Sequence, residues 1–103
     1  MEKEELDWCQ TIQDYARLII TSAEGVDKDK TLNMRISAVR MATSAVLVTT
    51  GRTNRSRSLW QDKLKHYWKA TKKYQEKFLT AYPEKNSDIL RNYTEKVNSY
   101  FAS

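Results

Sequence analysis

Glycine and proline, the residues that most often interrupt helices, are scarce in this chain. Of its 103 residues only two are Gly, at positions 25 and 51, and one is Pro, at position 83. Gly is favoured just past the end of a helix, and the residue before a proline is pushed out of helical geometry. The composition, 40% hydrophobic and 30% charged, suits a soluble helical protein. The sequence therefore predicts helix nearly throughout, interrupted near these three positions.

Four amphipathic segments fit between the interruptions, with apolar residues recurring at every third or fourth position. Short connections force consecutive helices to be antiparallel, and this length suffices for one modest core. The sequence thus predicts an all-α single domain, residues 1–103, folded as an antiparallel up-and-down four-helix bundle. The alternative is a three-helix bundle with a short C-terminal helix crossing one end. The predicted helices run from residues 3–6 to Gly25, from a cap at Asp29 or Thr31 to Thr50, from Ser58 to Tyr82, and from a cap at Asn86 or Ser87 onward.

The third segment divides most clearly into a core side and a solvent side. Ser58 and Gln61 have the spacing of a capping box, which predicts a helix start at Ser58. Aromatic residues recur at helical spacing on one side, and lysines lie on the other. The expected core stripe is Trp60, Leu64, Tyr67, Thr71, Tyr74, Phe78 and Ala81, and the opposite stripe is Lys65, Lys69, Lys72 and Lys73.

The second segment is apolar around most of its circumference. Such a helix is either central in its domain or part of a subunit interface. We expect central packing, because the segment carries several small residues that permit close helix approach, and keep a dimer interface as the alternative. One stripe is Leu32, Ile36, Val39 and Val46, a second is Met34, Ala38, Met41, Ala45 and Val48, and the narrow polar strip is Asn33, Ser37, Arg40 and Ser44.

Charge is distributed unevenly along the chain. The net charge is +5; residues 1–25 carry two basic and six acidic side chains, and residues 52–81 carry nine basic and two acidic ones. Such asymmetry indicates a polyanionic partner or charge-complementary assembly. Arginine matches phosphate oxygens with its planar fork, and lysine adds a point charge that does not read sequence. The candidate anion-binding residues are Arg52, Arg55 and Arg57 in the loop before the third helix, and Lys65, Lys69, Lys72, Lys73 and Lys77 along the helix.

Trp68 lies on the border between the aromatic and the lysine sides of the third segment. Three roles remain open for it from the sequence. It can close the edge of the core, stack on a nucleobase, or anchor a contact with another protein.

Residues with catalytic or metal-binding chemistry are few. His66 is the single histidine and Cys9 the single cysteine, and Asp62 with His66 would need a third ligand from another helix to hold a metal ion. A lone cysteine on an apolar helix flank is more often a small core residue than a nucleophile. We therefore predict no enzymatic activity, no metal site and no cofactor.

The sequence also bears on location. A single cysteine excludes an internal disulfide and favours a reducing compartment. The start of the chain is acidic, unlike a signal peptide, and no apolar run approaches the roughly 20 residues that span a bilayer. We predict a cytoplasmic protein that does not insert into membranes.

These observations leave two functional hypotheses. The first is a non-catalytic protein that binds nucleic acid, or another polyanion, mainly through phosphate contacts from the third helix and the arginines before it. The second is a module that binds another protein or assembles into a homo-oligomer. Its contact surface is the second helix and Trp68.

Overall fold

The computed structural model describes residues 3–102, and these residues form four long helices and one short helical turn. No strand occurs in this part of the chain. Helix α1 spans Lys3–Ser22, α2 spans Lys28–Thr50, α3 spans Asn54–Ala81 and α4 spans Asp88–Ala102, with a 3₁₀ turn at Pro83–Lys85 between the last two. The predicted all-α four-helix bundle is confirmed.

The helix ends follow the local chemistry of the chain. Gly25 adopts a φ of +81° after α1, a conformation that disfavours residues with a Cβ. Asp27 caps α2, its Oδ1 accepting from the Asp29 backbone N–H at 2.8 Å. Ser87 caps α4, its Oγ accepting from the Leu90 N–H at 3.2 Å. The predicted cap at Ser87 is therefore confirmed, whereas α2 begins earlier than predicted.

The start of α3 also differs from the prediction. Thr53 is the N-cap, with an extended backbone and its Oγ1 accepting from the Ser56 N–H at 3.0 Å. The predicted cap at Ser58 is wrong, because a hydroxyl five residues earlier satisfies the same requirement and residues 54–57 contain no helix breaker. Two of the three arginines assigned to the loop consequently lie within the first turn of α3.

The helices are arranged as an up-and-down ring. Helix α1 packs against α2 and α4, and α2 packs most extensively against α3. The amide of Gln13 donates to the Ala42 carbonyl at 2.7 Å and links α1 to the antiparallel α2. Helices α3 and α4 meet through longer side chains, including Trp68 and Phe101, whose rings stack with centroids 4.3 Å apart.

The core contains aliphatic side chains from all four helices and one buried polar network. Tyr15 is 1% exposed, and its hydroxyl donates to Gln75 Oε1; the Gln75 amide in turn donates to Thr94 Oγ1 at 3.2 Å. This network joins α1, α3 and α4. The apolar core residues include Ile12, Ile19, Met34, Ala38, Met41, Ala45, Val48, Leu64, Phe78, Leu90 and Val97.

Helix α3 uses much of its predicted stripe, shifted toward Gln75. Leu64, Thr71 and Phe78 are buried, and Gln75 joins them at 5% exposure. The aromatic residues at 60, 67 and 74 are half-buried, and Ala81 is exposed. The shift follows from the Tyr15 hydroxyl, which supplies a hydrogen-bonding partner to a buried amide.

Helix α2 differs most from expectation. The stripe containing Ala38, Met41 and Ala45 is completely buried. The stripe containing Ile36 and Val39 faces solvent, so the predicted central position of α2 is wrong. In a four-helix ring each helix is enclosed by its neighbours on one side only, and α2 turns its small residues toward α1 and α3. The buried arc also includes Ser37 and Ser44, which were assigned to the polar strip.

Candidate nucleic-acid interface

Four lysines form a row along the outward side of α3. Lys65, Lys69, Lys73 and Lys77 follow one another at four-residue spacing, and all four side chains are exposed. Residues at this spacing are neighbours on a helix surface and form a row inclined to the axis. The row covers about 18 Å at 1.5 Å per residue. We call these four residues the lysine row.

Among the described residues, the lysine row has no carboxylate partner. Asp62 and Glu76 are exposed on the same side of α3. However, within residues 3–102 no carboxylate lies within 4 Å of a lysine-row ammonium. The positive charges therefore remain available to an external anion, although the two nearby acidic side chains lower the local potential.

The three arginines near the start of α3 occupy different environments. Arg52 and Arg55 are exposed. Arg57 is half-buried and forms an ion pair with Glu5 of α1. A side chain at Gly51 would collide with the Arg57 stem, since an added Cβ would lie 2.7 Å from its Cγ. Arg57 thus belongs to the contact between α1 and α3.

Arg55 extends the basic surface toward the start of α3. It is 18 residues before Lys73, which corresponds to five complete turns, so both side chains leave the helix in the same direction. Arg55 also lies in the first turn, where free backbone N–H groups and the helix dipole favour anions. The structure therefore groups Arg55 with the lysine row on one face, and Arg52 is exposed in the connection just before α3.

Lys72 and Trp68 lie at the edge of that face. Trp68 stacks on Phe101 with an interplanar angle of 10°, and its Nε1 donates to Asn98 Oδ1 at 3.2 Å. The Lys72 ammonium lies 5.3 Å from the centroid of the Trp68 ring. Of the three roles considered for Trp68, the structure places it in the core-edge contact between α3 and α4. Lys72 is half-buried, with its ammonium beside the Trp68 ring.

The residues considered for catalysis lie apart from one another. Cys9 is half-buried in α1, and burial raises the pKa of its thiol, which lowers the fraction of reactive thiolate at neutral pH. His66 is exposed on α3, its ring packed edge-on against Tyr67 at a centroid distance of 5.3 Å. In residues 3–102 no three histidine, cysteine, aspartate or glutamate side chains are grouped as metal ligands would be.

Comparisons with known proteins add no assignment. Neither protein-family models, nor curated proteins, nor solved structures match this chain. A separate observation concerns membranes: across residues 3–102, none of the helices combines the length and the apolar character needed to cross a bilayer.

One further surface belongs to the alternative hypothesis, which places a protein contact on the second helix. It is the solvent-facing stripe of α2, with Arg35 and Arg40 on its two borders. The signal was present in the spacing of the apolar residues, which matches a helix-to-helix seam. The sequence did not show which of the two apolar stripes of α2 the core would use.

Proposed function

We propose that this protein binds a polyanion, in the first place nucleic acid, through the outward face of α3. The lysine row supports this proposal most directly, because it presents four neighbouring exposed cations without a carboxylate partner among the described residues. Arg55 continues the same face, and Arg52 is exposed just before the start of α3. Binding of this kind relies on backbone phosphates and reads little sequence.

Two of the candidate residues contribute less in this proposal. Arg57 is engaged by Glu5, and Lys72 is half-buried beside Trp68. Releasing either side chain toward a phosphate would cost the contact that it makes within the bundle. The proposed contact set is therefore Arg52, Arg55, Lys65, Lys69, Lys73 and Lys77.

The decisive measurement is the salt dependence of binding to a fluorescently labelled duplex and to a labelled single strand. Six phosphate contacts correspond to a slope of about −5.4 in log affinity against log salt for duplex DNA, and about −4.2 for a single strand. A fourfold replacement of the lysine row by glutamate should lower the affinity at 50 mM salt at least 100-fold. Circular dichroism should show unchanged helix content, because all four side chains are exposed.

A control variant separates local contacts from overall charge. Replacing Lys3, Arg17, Lys28 and Lys96 by glutamate changes the net charge by the same amount at exposed positions on the other three helices. The control should retain most of the binding. Equal losses in the two variants, or no binding by the original protein at 50 mM salt, would contradict the proposal.

A further inference from the structure

The solvent-facing stripe of α2 consists of four large apolar residues with exposed fractions between 37% and 51%. Isolated exposed apolar side chains are normal, whereas a line of them along one helix is a candidate contact surface. Alternating steps of four and three give a mean period of 3.5, which is the period of a helix-to-helix seam. The α2 stripe is Leu32, Ile36, Val39 and Val46, continued by Thr43 and Thr50.

Two arginines border the stripe, one on each side. Arg35 and Arg40 are five residues apart, so they leave the helix about 140° from each other with the stripe between them. The Arg35 guanidinium donates to Thr31 Oγ1 at 3.1 Å and to the Lys28 carbonyl at 2.7 Å. The Arg40 guanidinium lies 5.9 Å from the Tyr67 ring centroid. Within residues 3–102, neither arginine forms an ion pair with a carboxylate.

The middle of the stripe forms one wall of a cavity. This cavity, of about 340 Å³, lies between α1 and α2. Its apolar lining comes from Ile20, Ile36 and Val39, and its charged lining from Arg35 and Arg40. A helix could place apolar side chains in this cavity. Acidic residues on its two flanks would then meet the two guanidinium groups.

A second copy of this chain is a poor match for the stripe. Two α2 helices packed along their stripes would bring the bordering arginines of both copies to the same seam, where like charges repel. From Leu32 to Thr50 the stripe is about 27 Å long, and at a width of about 10 Å it offers roughly 270 Å². A standard stable interface buries about 800 Å² on each partner. This area is too small for a stable dimer built on the stripe alone, and the bordering arginines favour a partner with acidic flanks over a second copy.

We infer that the outward face of α2 is a docking site for an amphipathic helix of a partner protein, with apolar residues at three- and four-residue spacing and acidic residues on both flanks. The inference is independent of nucleic-acid binding by α3. Apolar anchors in the cavity supply affinity, and the arginines select for acidic flanks.

The experiment selects binders from a displayed library of helical 20-residue peptides with a fixed apolar seam and randomised flanking positions. Selection on the full chain should enrich Asp and Glu at the flanks, and enriched peptides should bind with micromolar dissociation constants by fluorescence anisotropy. The I36S/V39S double variant should lower their affinity at least tenfold. L59S and I89S are matched controls, because Leu59 and Ile89 are each 53% exposed on other helices. These controls should bind as the original protein does.

Charge exchange tests the specificity. The R35E/R40E variant should no longer bind the peptides with acidic flanks. It should instead bind versions of these peptides in which lysine replaces the flanking acidic residues. Enrichment of neutral or basic flanks, no enrichment at all, or binding unaffected by I36S/V39S would overturn the inference. So would sedimentation showing a dimer that I36S/V39S converts to a monomer, since the stripe would then be covered by a second copy.

Discussion

The outward faces of α2 and α3 belong to the two most closely packed helices of the bundle, yet they have opposite character. The face of α3 is lined with lysines, whereas that of α2 exposes a line of aliphatic side chains between two arginines. Lysine has a high helix propensity and keeps an exposed face hydrated. Helix stability and solubility are therefore sufficient to explain the lysine row. A partly exposed apolar stripe gains less from folding than a buried one, because much of each side chain stays in contact with water. The α2 face is therefore the one that folding does not explain.

The largest expected effect compares the two sides of α2 itself. Met41→Ala should lower the free energy of unfolding by about 2–5 kcal/mol, because Met41 is fully buried and its removal leaves a cavity. Val39→Ser should change it by no more than about 0.5 kcal/mol, since Val39 is 51% exposed. Urea unfolding measures both variants. Similar costs would show that the stripe contributes to folding after all and would remove the contrast.

The second effect concerns the interior that lies behind both faces. Burial raises the pKa of Tyr15 to about 12, with the charge of Glu76 adding to the shift. The unfolded chain titrates near pH 10, so the contribution of Tyr15 is fully present below pH 10 and is lost as the pH rises toward 12. The difference of about two between the pKa values of the folded and unfolded chain corresponds to at most about 3 kcal/mol in the free energy of unfolding.

Tyr15→Phe should therefore remove this part of the alkaline loss of stability. Urea unfolding between pH 9 and 11.5 should show a shallower decline for the variant than for the original protein. The I36S/V39S variant should keep the original slope, since both substitutions are on the solvent side of α2. A decline in Tyr15→Phe as steep as in the original protein would contradict the assignment.

The smallest effect lies within the basic face. Lys73→Ala should lower the salt slope of duplex binding by about 0.9, the value for one phosphate contact. Lys72→Ala should leave the slope almost unchanged, because the Lys72 ammonium lies beside the Trp68 ring. The two residues are adjacent in the sequence, but Lys73 is exposed and Lys72 is half-buried. Equal slope changes would show that Lys72 also reaches the ligand.

The sequence was sufficient for the number and order of the helices. Gly25 and Pro83 marked two ends, and the hydroxyl of Ser87 marked the start of α4. The sequence was insufficient where two nearby residues could serve equally well as the N-cap of a helix. Thr53 and Ser58 can both cap a helix, and only the structure shows that Thr53 does so.

The orientation of α2 and the state of individual site residues depended on partners far along the chain. Both stripes of α2 are apolar, and α2 turns the one with the smaller residues toward its neighbours. Gln75 is polar by composition but buried, because its partner Tyr15 is 60 residues away. Arg57 resembled the other arginines until Glu5, 52 residues away, was placed beside it. The exposure of the lysine row followed directly from helical spacing.

The hydrogen bonds from Tyr15 through Gln75 to Thr94 also fix how the helices are aligned lengthwise. Aliphatic contacts alone discriminate less between lengthwise positions of a helix, because after a shift of one turn another aliphatic side chain can occupy a similar place in the core. Sliding α3 by one turn, about 5.4 Å, would put Thr71 or Leu79 opposite the Tyr15 hydroxyl in place of Gln75. With leucine there, the phenol would lose its acceptor at a cost of about 1–3 kcal/mol. The network thus makes one lengthwise alignment of α1, α3 and α4 more stable than alignments in which a helix is shifted by one turn.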